Sequence, residues 1–445
     1  MRWSAPATAH DFPRLRRTSP KINTSLNNPR RRLMCSVYFT ADTYRTHLHS
    51  VSTPIQIADP VLMTVTLILI TLYALSIAIF CLATQRLPIL SRDALHRVSS
   101  LDGLRGVLAT AVIVHHFIVS YYWHVNGVWE TTDSRVLNNM GTVPVSLFFM
   151  ITGYLFTAKI YRSEPKWRQI LSSRLRRIFP MYLFSVTLIT AIALYQSAGI
   201  SAPIIDTIKS LGRWVILIGS PINAFPDTVR INASVQWTLL YEAVFYLSLP
   251  VLYCLLRRKL PGMAVVVSLI VLACLWGEYH HHFHNRFIKL FAVGIAVAVF
   301  EDRMRRWRID FTGVRCTLVA VAILLISMKL KSYSTLQMLI LGVPFALFVL
   351  GNSLHGVLEI RGLKILGEAS FSIYLLHGIV IYSVFSLMGA YDFATPDPLS
   401  YALYLPLIIL LTSSISVATY WCIEHPFLRK APPSARATPR TLEIR

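Results

Sequence analysis

Residues 61–84 run for a full membrane thickness without one charged side chain. At ~1.5 Å of rise per residue such a stretch covers a hydrocarbon core of ~30 Å. Ten more apolar stretches follow, at about 103–123, 143–158, 178–198, 236–256, 262–279, 287–300, 316–328, 335–351, 371–390 and 401–423. The fold class this demands is all-α: a polytopic transmembrane helix bundle of about ten core spans plus one extra N-terminal span. A further apolar piece, 210–222, is short and carries Arg213 and Pro221, so it is expected to be re-entrant or interfacial.

The formal charge of +22 raises nucleic-acid binding as a partner class, but 54% of residues are hydrophobic and only 14% charged. The basic residues sit in short loops between spans, which is an orientation signal and argues against a nucleic-acid partner. Lys159, Arg162, Lys166, Arg168, Arg174, Arg176 and Arg177 fill one loop. Like-sided loops carry Arg257, Arg258 and Lys259, then Arg303, Arg305, Arg306 and Arg308, then Arg361 and Lys364, and finally Arg429, Lys430, Arg436 and Arg440. The opposite loops are sparse, so the first set and the C-terminal tail at 431–445 are expected to be cytoplasmic. Six scattered cysteines lack metal-type spacing, and neither a disulfide framework nor a zinc site is expected.

Residues 1–60 are polar and basic and read as a disordered segment, with no apolar run where an export signal needs one. Arg86, Arg92 and Arg97 put the end of span 61–84 in the cytoplasm, which would send this basic segment outside, against the rule. Two readings stand: a translocated tail, or an over-long start with the true one at Met34 or Met63.

The span 103–123 carries the chemistry. Arg105 and His116 are eleven residues apart, so at ~100° per residue they share a helix face within ~20°, separated by ~16 Å of rise. Titratable groups in hydrocarbon are costly and tend to mark a pathway or a reaction centre. On the expected topology Arg105 lies near the cytoplasmic face and His116 near mid-membrane. Glu242, in the oppositely directed span 236–256, is expected at a matching depth, where it would orient the imidazole for general-base catalysis. The competing reading of His116 is an interhelical hydrogen bond. His115 points ~100° away and reads as structural. The Arg174–Arg177 cluster on composition alone is an orientation anchor, and Trp237, Tyr241, Phe245 and Tyr246 read as packing aromatics. The run His280, His281, His282, His284 lacks a carboxylate or cysteine partner, so no metal role is expected. Gly141 and Gly153 read as close-packing positions, not a phosphate loop.

The order of motifs resembles the acyltransferase 3 family of integral-membrane O-acyltransferases over residues 99–430. Leu101-Asp102-Gly103-Leu104-Arg105-Gly106 followed by His116-Phe117 is similar to its opening signature. Val145-Ser146-Leu147-Phe148-Phe149 through Gly153-Tyr154 resembles its phenylalanine-rich second helix, and Arg174-Leu175-Arg176-Arg177-Ile178-Phe179-Pro180 its basic run. Trp237-Thr238-Leu239-Leu240-Tyr241-Glu242 through Phe245-Tyr246, then Ser370 through His377, then Glu424-His425-Pro426-Phe427 resemble its remaining signatures. Many members carry Asp where Ser146 stands here. A C-terminal esterase-like domain is not expected.

The resemblance implies transfer of an acyl group, most often acetyl, from cytoplasmic acyl-coenzyme A (acetyl-CoA) as co-substrate to a hydroxyl of a carbohydrate or glycolipid acceptor. It points to a bacterial inner membrane, with membrane lipids as surroundings and no metal. His116 is the expected general base or acyl carrier, with Glu242 and Arg105 as catalytic partners. Arg105, Arg174, Arg176 and Arg177 are the expected donor-binding residues, and Asp102, Ser146, Trp237, Tyr246 and His377 further candidates. The alternative is a glycan or lipid transporter without transferase chemistry; its inverted repeats are not visible in the sequence. A structural or sensing membrane protein is the third class.

Overall fold

The computed structural model describes residues 59–85, 100–199, 202–257, 262–279 and 284–429. The basic segment 1–58, Arg86, Arg92, Arg97, Arg258, Lys259, His280, His281, His282 and the tail from Lys430 lie outside them. Among the described residues there is no strand: the elements are α1 (Asp59–Thr84), α2 (Ser100–Asn126), α3 (Arg135–Arg162), α4 (Trp167–Gln196), α5 (Ile204–Val215), α6 (Trp237–Arg257), α7 (Met263–Tyr279), α8 (Asn285–Met304), α9 (Val314–Ser327), α10 (Thr335–Val349), α11 (Arg361–Glu368), α12 (Ser370–Tyr382), α13 (Pro398–Ala402), α14 (Leu405–Thr419) and α15 (His425–Arg429). All eleven apolar stretches become helices. Among the described residues seven helices are long and apolar enough to cross a membrane, while α7, α9 and α10 are apolar but shorter. The chain is an all-α integral membrane protein.

The piece expected at 210–222 forms its helix earlier, as α5. The chain leaves that helix because Trp214 is fully buried and its indole N–H donates to Ser220 O (2.9 Å), turning the backbone through a left-handed Leu217. Ile204, Ile205 and Ile208 stay exposed on α5, as suits an interfacial element.

In lipid, helices gain little from apolar attraction, so close backbone approach and internal polar bonds decide which helices meet. Two glycine contacts seat α2 against α11. A Cβ on Gly106 of α2 would lie 2.3 Å from Leu363 O, and one on Gly367 of α11 would lie 1.9 Å from Asp102 O. Gly153 of α3 and Gly294 of α8 bring those helices together in the same way, with the Gly153 position 2.6 Å from Phe291 O. The close-packing reading of Gly153 therefore holds, as does that of Gly141, where an added Cβ would lie 2.6 Å from the His115 ring.

Buried polar groups complete the joints. Glu301 of α8 is almost fully buried and accepts from Tyr154 (2.8 Å), Arg162 (2.7 Å) and Arg305 (2.9 Å), a set of partners sufficient to hold a carboxylate away from water. The Asn139 amide donates to Ser327 O, Met328 O and Leu330 O, satisfying carbonyls that the C-terminal end of α9 leaves without helical partners. Gln337 of α10 closes this network by donating to Asn139 Oδ1 at 2.9 Å. α12 and α14 both end in π-helical turns, Ser383–Leu387 and Tyr420–Glu424. The second turn aims Glu424 back at α12, where the Ser372 hydroxyl donates to it.

Candidate active site

A cavity of about 410 Å³ opens among the N-terminal ends of α2, α4 and α12, the C-terminal half of α3 and the first half of α6. Its polar wall holds Arg105, Arg174, Arg177, Glu242 and Tyr246, and its apolar wall is built from side chains of α3 such as Phe148, Ile151 and Phe156.

Arg105 stands one turn beyond Asp102 on α2, where the glycine contacts fix the helix. Its Nη2 donates to the Ser370 hydroxyl at 2.8 Å, and it is flanked by Asp102 and Glu424 as anions and by Arg174 and Arg177 as cations. Arg174 and Arg177 are three residues apart on α4 and so share a face. Arg176 between them is exposed and does not line the cavity, so the structure does not bring it together with Arg174 and Arg177 there. The Arg174 guanidinium lies 4.9 Å over the Phe156 ring, a position that limits its freedom without using up its charge.

Glu242 is held on the same polar wall. It accepts from the Tyr246 hydroxyl, one helical turn along α6, at 2.9 Å and from Thr152 of α3 at 3.2 Å, with Arg174 as the nearest cation. The expected Glu242–His116 pairing is therefore not made. The rotation of α6 presents the carboxylate to the cavity and to α3.

His116 finds a different partner. Its Nδ1 lies 3.0 Å from Nε2 of His377 on α12, and His377 Nδ1 lies 3.1 Å from the Ile373 carbonyl. His377 is fully buried, whereas His116 keeps some accessible surface. The Trp129 ring stacks over His116 at 6.4 Å between centroids, brought there by the loop after α2. The cavity and the imidazole pair are distinct layers joined by Tyr374. This side chain lines the cavity, receives a hydrogen bond from Thr238 (2.9 Å), and lies 6.0 Å from the His377 ring.

The remaining candidates separate by geometry. Tyr246 and Asp102 line the cavity. Ser146 is fully buried and donates to the Thr142 carbonyl of its own helix at 2.8 Å, away from the cavity lining. Trp237 packs edge-on to Phe149 and Tyr241 as part of an aromatic cluster. His115 pairs its Nδ1 with the Leu137 carbonyl at 3.2 Å, which is a structural contact. His284, the described member of the histidine run, donates its backbone N–H to Tyr241, and the described residues contain no cluster of three potential metal ligands. Sequence reasoning overlooked Thr152, Tyr374, Ser370 and Glu424. The last three lie in the Ser370–His377 and Glu424–Phe427 signatures, the only signal that could have found them.

An anion-receptive cavity joined to a hydrogen-bonded imidazole pair suits a reaction between an anionic carrier molecule and a nucleophile that must lose a proton. A family model described as an acyltransferase domain matches residues 98–421. O-acetyltransferase PaAT-1 of Phomopsis amygdali is 33% identical over 112 residues, 22% of this chain and 22% of that one. Exopolysaccharide production protein ExoZ of Rhizobium meliloti (strain 1021) is 24% identical over 301 residues, 65% of this chain and 90% of that one. Acyltransferase MdmB of Streptomyces mycarofaciens is 26% identical over 162 residues, 36% of this chain and 41% of that one. The match thus spans about a fifth of the length of PaAT-1 and two fifths of that of MdmB. No solved structure matches the chain.

Proposed function

The chain belongs to the acyltransferase-domain family over residues 98–421, and on that premise we propose that it moves an acetyl group from acetyl-CoA to a hydroxyl of a cell-envelope or exported glycan or glycolipid. The membrane is the bacterial inner membrane, with the C-terminus and the Arg105 end of the bundle in the cytoplasm. The alternation of basic loops supports that orientation.

The observation that carries the reading is the joining of three arginines in one cavity to the His116–His377 pair through Tyr374. Arg105, Arg174 and Arg177 suit the phosphates of a coenzyme A donor, because guanidinium groups bind phosphate through paired charge-assisted hydrogen bonds. The ~16 Å of helical rise from Arg105 to His116 is of the order of a pantetheine arm. Trp129 above His116 offers an aromatic face for an acceptor arriving from the far side.

His116 takes the proton of the acceptor hydroxyl at Nε2 as the oxygen attacks the thioester carbonyl. The carbon–sulfur bond then breaks and the protonated imidazole returns its proton to the departing thiolate. An acyl-His116 intermediate formed before the acceptor attacks gives the same overall balance. Glu242 and its donors Tyr246 and Thr152 hold the charge of Arg174 in place on the donor side.

The test is purified protein in lipid nanodiscs, supplied with acetyl-CoA labelled in the acetyl group and with glycan and glycolipid fractions of bacterial envelopes. Label in the glycan fraction is the expected result. Binding or movement of glycan with no label transferred replaces this reading by transport.

A further inference from the structure

Resting on the reading of His116 as the base, we infer that His377 is a positioning residue: it fixes the tautomer of His116 and takes the place that a carboxylate fills in other base-and-orienter pairs.

The tautomers follow from which atoms face one another. A carbonyl oxygen only accepts, so His377 Nδ1, 3.1 Å from Ile373 O, carries the proton. A neutral imidazole has one N–H and one lone pair, so His377 Nε2 is the acceptor. It faces His116 Nδ1 at 3.0 Å, and His116 Nδ1 must then be the donor. The lone pair of His116 is left on Nε2, the nitrogen a general base needs free. His116 retains accessible surface, while His377 has none.

The order of groups is therefore Ile373 carbonyl, His377, His116, acceptor hydroxyl. When His116 gains a proton at Nε2, its Nδ1–H can move along the 3.0 Å bond to His377 Nε2. It can go no further, because His377 Nδ1 ends on a backbone carbonyl. The pair shares the positive charge and returns the same proton to the leaving thiolate. A neutral imidazole orients its neighbour without the desolvation cost of a buried carboxylate, which suits a fully buried site inside a membrane bundle. The site is built for this contact: Gly378, beside His377, lies so close to the chain at Asn232 and Ala233 that an added Cβ would fall 2.3 Å from the Asn232 carbonyl carbon. That contact locks the rotation of α12 about its axis.

The experiment measures labelled-acetyl transfer by wild type, His377→Leu, His377→Gln, His116→Ala and the double variant His116→Ala/His377→Leu, each with its thermal midpoint in detergent. His377→Leu is expected to lower kcat by about 10²-fold or more at an acetyl-CoA KM within about twofold of wild type. His377→Gln, whose Oε1 can accept from His116 Nδ1, is expected to recover at least tenfold of that loss. The double variant should be no slower than His116→Ala alone, because His377 acts through His116. An active wild type with His377→Leu within about threefold of it, or with losses that multiply in the double variant, overturns the positioning role. A wild type that transfers no label instead overturns the acyltransferase reading on which the role rests.

Discussion

Arg105 Nη2 donates to Ser370 Oγ at 2.8 Å, tying the second turn of α2 to the first residue of α12 at the basic end of the cavity. One interaction thus aligns the two helices that carry His116 and His377, and places a guanidinium on the cavity wall.

Arg105→Ala is expected to raise the Kd for acetyl-CoA by about 10- to 100-fold, the worth of a charge-assisted hydrogen bond of ~1.5–3 kcal/mol. Ser370→Ala should change it by less than about fivefold, since the hydroxyl only steadies the guanidinium. Isothermal titration of nanodisc-embedded protein with acetyl-CoA checks both values. Equal affinity of Arg105→Ala and wild type would remove Arg105 from the donor site.

Tyr246→Phe removes the closer of the two donors to Glu242 and leaves a half-buried carboxylate with Thr152 as its remaining donor. It should destabilise the protein by about 1–3 kcal/mol. Glu242→Leu leaves Arg174 without its nearest anion and should be worse than Tyr246→Phe in both thermal midpoint and donor affinity. Thermal unfolding in detergent and the same titration give the ranking. The reverse ranking would contradict the electrostatic influence of Glu242 on Arg174.

Gly367→Val puts a branched side chain where even a Cβ would lie 1.9 Å from Asp102 O. The contact is with backbone, so no rotamer change relieves it. The variant should lose at least about 3 kcal/mol, or fail to insert as a stable protein. Gly127→Ala, in open space after α2, is the control, though its positive φ makes a small loss of about 1 kcal/mol expected there too. Similar expression and midpoint for Gly367→Val and wild type would break the α2–α11 contact.

Asp397 caps the N-terminus of α13, accepting from the Ser400 N–H (2.9 Å) and the Leu399 N–H (3.2 Å). The backbone N–H of Ser400, followed by that of Leu399, holds its carboxyl below the ordinary value of 3.8. A folded pKa below the unfolded one means stability that is complete above the unfolded pKa and is lost as pH falls through the folded one. Asp397→Ala should therefore cost about 1 kcal/mol at pH 7. That difference from wild type should shrink when thermal midpoints are compared below pH 3.8. A difference independent of pH would show that the carboxylate charge adds nothing to the cap.

The sequence alone located the apolar helices, because apolar length is a local property that the bilayer reads residue by residue. It also settled that Arg105 and His116 share a face, since both stand on one helix of known pitch. The expectation failed at Glu242, and the reason is specific. Depth follows from counting residues along a span, whereas the direction a side chain faces depends on rotation about the helix axis, and that is set by contacts between distant parts of the chain. Gly106 against Leu363, Gly153 against Phe291 and Gly378 against Asn232 are such contacts. With the helices so seated, Glu242 meets Thr152, and His116 meets the ring of His377, 261 residues away in the chain.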